Sequence, residues 1–429
     1  SVRATGVYGM RVAGAAAREM LLQAAAEEWQ VAAAELVTEN STISHPASGR
    51  SDSYAHFAAR AADYTPPSSP RLKSPGEFRI MGQSKPRLDL PAKVDGSAMF
   101  GIDATVDGMK YASIAAAPVF GASVARVDDA EARSMPGVVD VVNLDNAVAI
   151  VADGYWQAKQ ALAKLAIEWT GTDNDLQSSD GIFEQFDRDI SAARDSGDSD
   201  QDMAIGDAAG ALATADRVIE RSYRVPYLAH SCMEPMNALA RVNGDSCEVW
   251  TGTQNPLGFR YSVADALELD AEQVTVNNFY MGGGFGRRSD PDTAIQAARI
   301  ARATGVPVKL IWSREEDIQH DHYRPAITSS FQAALGADGK PVAWDNLFVD
   351  KHEPAEAPHI LYDVPNQHVH YIDSPTHVPF GPWRSVDHSQ HGFFTESFID
   401  DLAYEAGVDP YQYRRDLLAN KPRQRKVLE

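Results

Sequence analysis

The chain has 429 residues, of which 44% are hydrophobic and 23% are charged, and its formal net charge at pH 7 is −21. These proportions are ordinary for a soluble globular protein of two or three domains. No apolar run approaches the roughly eighteen residues that a membrane-spanning helix needs, and no basic segment leads into an apolar core as in a signal peptide. The acidic charge argues against nucleic acid as a partner, because its phosphates would be repelled.

The two cysteines of the chain are Cys232 and Cys247. Two thiols cannot supply the four ligands of an iron–sulfur cluster, and their spacing is not that of a CxxC site. One disulfide could join them, but we expect two buried free thiols. The redox compartment stays undecided.

The first part of the chain predicts a helix, a linker and a mixed domain. Residues 7–30 are rich in Ala and Leu, with polar residues recurring near helical spacing, and predict one helix. Residues 45–76 are rich in Pro, Ser and Gly and predict a largely irregular linker, interrupted by a short helix within 53–64. Beyond it, helices are predicted at 127–135 and 154–166, and strands at 92–103, 110–118 and 138–152. This alternation indicates a compact α+β unit at 77–172.

The second part predicts a connection and a larger α/β region. The acidic sequence RDSGDSDQDMAIGDAAG, within 173–214, indicates a solvated connection. The remainder, 215–429, alternates strands and helices. Strands are predicted at 217–230, 238–252, 272–280 and 306–313, and helices at 257–269 and 290–305.

The sequence VTVNNFYMGGGFGRRSD, residues 274–290, places a glycine-rich loop between a predicted strand and a predicted helix. Consecutive glycines let backbone N–H groups approach a ligand closely, and a helix N-terminus adds positive potential, so the loop suits an anionic cofactor group. Asp290 and Pro291 predict the N-cap and first residue of the helix. Arg287 stands where a dinucleotide fingerprint needs glycine, and Arg287–Arg288 replaces the Lys-Ser or Lys-Thr of a P-loop. A turn without a ligand is the competing interpretation.

Two polar side chains in separate motifs accompany this loop. Gln254, in TGTQNP, follows a predicted strand, and its amide could donate a hydrogen bond to an oxo ligand or a carbonyl. Arg384, in GPWR, precedes a strong helix signal and could extend its guanidinium into a pocket. Each also has an ordinary explanation, because Gln-Asn-Pro commonly forms turns and a single arginine is usually a solvated charge.

Histidine pairs support a different class of enzyme. HDH at His320 and His322, and HVH at His368 and His370, have the spacing that puts two imidazoles on one face of a strand as zinc ligands. A zinc-dependent hydrolase is therefore one alternative, although no carboxylate completes a known zinc motif. A non-catalytic fragment that acts in assembly is another.

Several motifs, in their order along the chain, resemble the molybdenum-binding subunit of the xanthine dehydrogenase and aldehyde oxidase family. They are TGTQNP, MGGGFGRR and GPWRSVDHSQHGFFTESFIDDLAYEAGVDPYQYRRDLL. HSCMEPMNA at 230–238 and WSREEDIQHDHYRP at 312–325 are similar to one branch, that of the isoquinoline 1-oxidoreductase beta subunit and related membrane-linked aldehyde dehydrogenases. AKVDGSAMFGID and the sequence after it resemble the hammerhead domain of the family, so the resemblance covers nearly the whole chain.

The resemblance implies an α+β fold, with a hammerhead domain and molybdopterin-binding α/β domains of the molybdenum hydroxylase type. Residues 1–44 would be a helical segment of a molybdopterin-binding domain begun upstream, and 45–76 a linker. The hammerhead-like domain would occupy 77–172, followed by an acidic connection at 173–214. Residues 215–429 would form a molybdopterin-binding domain whose C-terminal part is missing.

The resemblance also implies roles for single residues. Gln254 would donate to the apical oxo group of a molybdenum centre, and Arg384 would face the substrate or the anionic metal ligands, so both are predicted as catalytic. The N–H of Gly286 would point toward an oxo or pterin group. Cofactor contacts are predicted for Gln254, Gly283, Gly284, Phe285, Gly286, Arg287, Arg384 and Gln390, and substrate-pocket contacts for Glu234 and Trp383. No protein side chain is predicted as a metal ligand, because the pterin holds the molybdenum.

The implied reaction is hydroxylation of an aldehyde or N-heteroaromatic carbon, with water as the oxygen source and a carboxylate as the base. The expected cofactor is molybdopterin cytosine dinucleotide carrying molybdenum. Because this chain lacks the cysteines, [2Fe-2S] clusters are expected in a small iron–sulfur partner subunit, with a cytochrome c subunit as a further expected partner.

The resemblance also implies sequence beyond this chain. The catalytic glutamate of the family and its Gln-Gly-rich cofactor segment match no part of the sequence. We therefore expect the chain to be the middle of a larger subunit, or one part of a split one, with the remainder of that subunit as a partner. The branch implies a periplasmic location or a periplasm-facing membrane complex.

Overall fold

The structure is a computed structural model that describes residue 6 and residues 9–350 and 356–429. The chain divides into two units, residues 1–94 and residues 95–429. No helix within the described part of the chain is both long and apolar enough to cross a membrane. The glycine-rich loop and its two accompanying motifs all lie in the second unit.

The first unit is organised around one long helix, α1, Arg11–Trp29. Its Ala and Leu content favours a helix, and small side chains such as Ala24 let it approach α2, Tyr54–Ala61, whose Phe57 is completely buried. The helix predicted for 7–30 is confirmed for its described residues. An antiparallel sheet lies between the two helices in sequence and consists of β1, Val37–Glu39, β2, Thr42–His45, and β3, Arg50–Ser53.

The segment 45–76 is less irregular than predicted, because it contains β3 and α2. The hydroxyl of Ser53 accepts a hydrogen bond from the His56 N–H at 3.3 Å and caps α2. The short helix predicted within 53–64 is confirmed. The residues of β3 are polar and mostly exposed, so their composition resembles that of a loop although they pair with β2.

The remaining elements begin with a helix that spans the division between the units, α3, Leu90–Asp95. The other helices are α4, Ala130–Arg133, α5, Tyr155–Leu162, α6, Ser179–Ser196, α7, Ala208–Ala213, α8, Pro256–Ala266, α9, Asp292–Thr304, α10, Arg314–Gln319, α11, His388–Ala406, α12, Pro410–Leu417, and α13, Pro422–Leu428. The other strands are β4, Lys110–Ala116, β5, Val124–Asp128, β6, Val138–Asn143, β7, Ala147–Ala152, β8, Ala166–Trp169, β9, Asp200–Ile205, β10, Val218–Val225, β11, Asn237–Asn243, β12, Ser246–Thr251, β13, Val274–Asn278, β14, Val308–Ile311, β15, Ile327–Leu335, β16, Pro341–Val349, and β17, Gln367–Ile372.

The larger sheet of the second unit has seven strands in the order β13–β12–β11–β14–β4–β7–β6. Helices α8 and α9 pack against it through residues such as Phe259 and Ile300, which are buried with the strands in one apolar core. Most of the strands and helices predicted on either side of the glycine-rich loop are confirmed. Strand β12 runs parallel to β13, so the carboxyl ends of these two strands meet at one edge of the sheet.

The other large sheet has five strands in the order β10–β15–β16–β17–β9. Its core is aromatic: Phe331 and Trp344 from the sheet pack on Phe398 of α11, with ring centroids 4.9 and 5.0 Å from that of Phe398. This packing holds α11, which follows the GPWR motif, against the sheet. A two-stranded sheet pairs β5 with β8.

Several predictions of local structure are wrong. The ranges predicted as single strands, 138–152 and 238–252, each contain two antiparallel strands, β6 with β7 and β11 with β12. The range predicted as a strand, 92–103, contains α3 and a 3₁₀ turn, because Gly96 has φ +82° and the Asp95 carboxylate accepts from the Ser97 N–H. The range predicted as an acidic connection, 173–214, contains two helices, α6 and α7, and the strand β9. Strand β9 pairs with β17 at a sheet edge, where polar side chains can stay exposed. Helix α9 begins at Asp292 with Pro291 as its N-cap, because Asp290 pairs instead with His322 at 2.9 Å.

Candidate cofactor site

Three chain segments meet at the edge where β12 and β13 end. Residues 252–255 connect β12 to α8, and residues 279–291 connect β13 to α9. Residues 381–387 lead into α11. Ligand sites of α/β sheets commonly lie at the carboxyl ends of the strands, and all three predicted motifs are at this edge.

Hydrogen bonds fix both the backbone of Gln254 and the oxygen of its side-chain amide. Its N–H donates to the Arg288 carbonyl at 2.9 Å, and its Oε1 accepts from the Gly286 N–H at 3.0 Å. The Nε2 end of the side chain is exposed, and no described residue accepts a hydrogen bond from it. The amide can therefore donate to a ligand, as its predicted role requires.

The glycine-rich loop keeps several backbone donors available. Gly282 donates to Glu234 at 2.7 Å and Gly286 donates to Gln254, so the Gly286 N–H is engaged within the protein instead of pointing at a ligand as expected. By contrast, the N–H groups of residues 283–285 have no acceptor within the described part of the chain. Successive backbone N–H groups without an internal acceptor suit an anionic ligand.

Glycine is required where the loop meets the GPWR segment. A Cβ on Gly286 would lie 1.6 Å from the Pro382 carbonyl oxygen, and one on Gly284 would lie 2.5 Å from Oε1 of Gln254. Gly286 also has φ +113°, a conformation that L side chains rarely adopt. The close approach of the loop to the Pro382 backbone and to the Gln254 side chain therefore explains these two glycines, so chain reversal is not their only role.

Arg384 lies against the loop, and its guanidinium is paired with no carboxylate of the described residues. Its N–H donates to the Phe285 carbonyl at 2.6 Å, and its guanidinium carbon is 6.0 Å from the centroid of the Phe285 ring. The side chain is exposed and forms no ion pair with any described residue. The next three residues, 385–387, all have positive φ between +39° and +77°, and such strain is concentrated at functional sites.

A buried cluster of charged residues binds the loop through Arg287. Arg287, 1% exposed, binds Asp292 through two hydrogen bonds of 2.6 and 3.2 Å, and its Nε lies 2.9 Å from Asp321. Asp321 also lies 3.0 Å from Nδ1 of His230, whose Nε2 is 2.9 Å from the Pro382 carbonyl. Burial alone would lower the pKa of Arg287, but Asp292 and Asp321 raise it, so the cation persists. The cluster thereby joins the loop to the GPWR segment.

Glu234 supports the loop through a second buried ion pair. Its Oε1 accepts from the Ile102 N–H at 3.0 Å and from Asn237 at 2.9 Å. Its Oε2 accepts from the Gly282 N–H and lies 3.2 Å from Arg288, which is completely buried. Its predicted place in the substrate pocket stays a prediction, since all of these contacts are internal.

The remaining predicted residues lie close to the same edge. Trp383 packs on His230, with ring centroids 4.4 Å apart. Gln390 is 1% exposed, and its amide binds Asp387 at 3.1 Å and Ser389 at 2.6 Å, so its predicted cofactor contact stays untested. Cys232 and Cys247 are buried and unbridged, which confirms the expected free thiols.

Only one of the two histidine pairs brings its imidazole rings together. His320 lies 3.1 Å from Glu316, whereas His322 lies 2.9 Å from Asp290, so the HDH pair does not converge. The HVH pair does: His368 and His370 stack on β17 with ring centroids 4.0 Å apart. Another histidine of this region, His352, lies outside the described residues.

The role of His230 and Asp321 was missed by sequence reasoning. They lie 91 positions apart, and a sequence alone does not show that one carboxylate joins His230 to Arg287. A signal was available nevertheless, because both residues lie within segments that resemble the family, HSCMEPMNA and WSREEDIQHDHYRP.

Comparison with known proteins agrees with this geometry. A model of the molybdopterin cofactor-binding domain matches residues 193–418, over half of the chain. The chain therefore belongs to the molybdenum-binding subunits of the xanthine oxidase and xanthine dehydrogenase family, a family of oxidoreductase enzymes.

Individual relatives are similar over most of this chain. The beta subunit of isoquinoline 1-oxidoreductase from Brevundimonas diminuta is 30% identical, over 96% of this chain and 60% of its own length. A nicotinate dehydrogenase subunit of Pseudomonas putida is 29% identical, over 94% and 36%. A membrane-bound aldehyde dehydrogenase (pyrroloquinoline-quinone) of Gluconacetobacter polyoxogenes is 29% identical, over 96% and 58%. The chain thus spans 60% or less of each of these three proteins.

Solved structures share the fold. Quinoline 2-oxidoreductase from Pseudomonas putida 86 superposes with a TM-score of 0.62 at 19% identity, covering 78% of this chain and 49% of that chain. Aldehyde oxidoreductase from Desulfovibrio gigas superposes with a TM-score of 0.63 at 22% identity, covering 80% and 44%. The predicted fold class is confirmed, and the zinc-hydrolase alternative has no support among the relatives.

Proposed function

We propose that this chain is the central portion of the catalytic subunit of a molybdenum-dependent oxidoreductase. The enzyme would hydroxylate an aldehyde or N-heteroaromatic carbon, with water as the oxygen source. The observation that carries the proposal is a set of donors, without an acceptor among the described residues, on three segments that meet at the ends of β12 and β13. The donors are the Gln254 amide, the N–H groups of 283–285 and the Arg384 guanidinium. Such a set fits the oxo groups and phosphates of a molybdopterin cofactor.

The bound cofactor would supply two-electron oxidation and oxygen transfer to the substrate carbon. The residues of this chain would bind and orient. Gln254 donates from a position fixed by Gly286, and residues 283–285 present their N–H groups to anionic oxygens. Arg384 stabilises negative charge that develops on oxygen in the transition state. Glu234 and Asp321 lie against the loop, but both bind buried cations, so neither is proposed as the base.

Finer details of the complex belong to the same proposal. We assign the cytosine dinucleotide form of molybdopterin, and [2Fe-2S] clusters in a small partner subunit, with a cytochrome c subunit as a further partner. Two cysteines in this chain, and relatives that are named as subunits, support partner subunits in general. The remainder of the large subunit would supply the catalytic base. We place the complex in the periplasm or on the periplasmic face of a membrane.

Substitution of the two donor side chains tests the proposal. In the full enzyme, Arg384→Gln and Gln254→Ala are each expected to lower kcat/KM by about 10²- to 10³-fold, because each removes one positioned donor. Arg384→Gln should fold as the wild type does, because that side chain is exposed. Gln254→Ala also removes the acceptor of the Gly286 N–H, so its free energy of unfolding is measured beside its activity. Aldehyde and N-heteroaromatic oxidation with an artificial electron acceptor is the measurement, normalised to molybdenum content.

Arg126→Gln is the matched control, because Arg126 is an exposed arginine that pairs with the exposed Glu168 at 3.4 Å. It should retain wild-type activity. Wild-type kcat/KM in fully loaded Arg384→Gln and Gln254→Ala enzymes would refute the assigned roles.

A further inference from the structure

A second cluster of ligand-type side chains lies on the five-stranded sheet. Asp345 is on β16, and His368 and His370 are on the neighbouring parallel strand β17. We propose that these three residues bind a divalent transition-metal ion, with zinc as the reference ion, at a structural site separate from the candidate cofactor site. The proposal does not rest on the proposed function, and it assigns no hydrolytic activity.

The distances within the cluster are those of ligands that share one ion. Oδ2 of Asp345 lies 3.0 Å from Nδ1 of His368 and 3.1 Å from Nε2 of His370, and all three ligand atoms lie within 4.8 Å of one another. Two ligands that each bind zinc at about 2.0–2.2 Å, in tetrahedral or octahedral geometry, are roughly 3 Å apart. Little movement would therefore be needed to accept an ion.

One ring nitrogen in the cluster lacks a hydrogen bond. His370 is 8% exposed, and its Nε2 makes no hydrogen bond within the described structure although it lies near Asp345. Its contact with Asp345 therefore lacks the alignment of a hydrogen bond. A buried polar atom without a hydrogen bond is costly, and a metal ion would satisfy it. This nitrogen and Nδ1 of His368 lie near the same carboxylate oxygen, as ligands of one ion would.

The outer contacts also fit a metal site. Nδ1 of His370 lies 2.8 Å from the Ser199 hydroxyl, and Oδ1 of Asp345 accepts from Arg194 at 2.7 Å. Metal-binding histidines and carboxylates usually make such second contacts, which fix their orientation. Arg194 leaves Oδ2 available, but its positive charge lowers the expected affinity below that of an otherwise similar site without it.

The site would join three parts of the sheet edge. Ser199 belongs to the connection between α6 and β9, while the ligands come from β16 and β17. The His368 side chain is 32% exposed, so water can complete the coordination. Metal binding would therefore stabilise the edge of the sheet, because the ion binds the folded arrangement and not the unfolded chain.

Zinc binding to the intact protein tests the proposal. After treatment with EDTA, the untagged protein is dialysed to equilibrium against increasing zinc, and bound zinc is counted by elemental analysis. We expect one saturable site per chain whose affinity falls by at least about 100-fold in His368→Ala and in His370→Ala, since even changes to the outer contacts of metal sites cost about 10- to 100-fold. Zinc should also raise the melting temperature of the wild-type protein.

His56→Ala is the matched control. His56 lies 2.8 Å from Glu28 and 3.4 Å from Asp52, but among the described residues these three do not bring their ligand atoms within 4.8 Å of one another. This variant should retain the zinc site and the thermal shift. Equal zinc affinity in His368→Ala and the wild type would overturn the proposal, as would the absence of a saturable site in the wild type. His368 is partly exposed, so its variant tests the site even if His370→Ala fails to fold.

Discussion

Replacement of Gly286 by alanine is expected to cost more than about 4 kcal/mol of unfolding free energy, or to prevent folding of the loop region altogether. The added Cβ would lie 1.6 Å from the Pro382 carbonyl oxygen, which is backbone and cannot rotate away, and residue 286 has φ +113°. The clash would separate the loop from the GPWR segment, so cofactor content should fall as well. Denaturant unfolding monitored by circular dichroism measures the stability.

Gly305→Ala separates the clash from the backbone strain. Gly305 has φ +68° at the end of α9, but a Cβ there would meet nothing within 4 Å. Its cost should be about 1–2 kcal/mol, from the left-handed conformation alone. Equal losses of unfolding free energy in Gly286→Ala and Gly305→Ala would contradict the packing of the loop against the GPWR segment.

Glu234→Gln is expected to destabilise the folded chain by about 3–5 kcal/mol, because it leaves the buried cation Arg288 without its carboxylate. The four polar partners of Glu234 are all donors: two N–H groups, the Asn237 amide and Arg288. Glutamine replaces one acceptor oxygen with an NH₂ group that would face two of these donors. The free energy of unfolding measures the loss.

Glu248→Gln is the control for that substitution. Glu248 pairs with Arg241 on the neighbouring strand, and both side chains are more than one-third exposed, so the cost should be under about 1 kcal/mol. An unchanged unfolding free energy in Glu234→Gln, together with a raised KM, would assign Glu234 to the substrate pocket instead of to the support of the loop.

Local sequence patterns predicted the regular elements well. Helix α1 follows from its Ala and Leu content. The range 238–252 was predicted as one strand, whereas the turn at Gly244 and Asp245 divides it into the antiparallel strands β11 and β12. The edge strand β9 was missed because an edge needs no apolar face, so its acidic residues resembled a connection.

The site was predictable in part. Gln254, the glycine loop and Arg384 were found because each motif is local and their order resembles a family. The ionic cluster was not, because Arg287, Asp321 and His230 meet only through the fold. The Gly286 N–H was expected to point at a ligand, but it donates to Oε1 of Gln254 at 3.0 Å. Sequence could not show this bond, because the two residues also meet only through the fold.

Molybdenum content is the most direct test of the central claim, that the donors at the ends of β12 and β13 hold a molybdopterin cofactor. The native complex that carries this chain, with everything that co-purifies, would be analysed for metals and for nucleotide released on denaturation. The account predicts roughly one molybdenum atom per chain, with iron from a partner and a cytidine nucleotide. An intact, full-length preparation without molybdenum or pterin would contradict it.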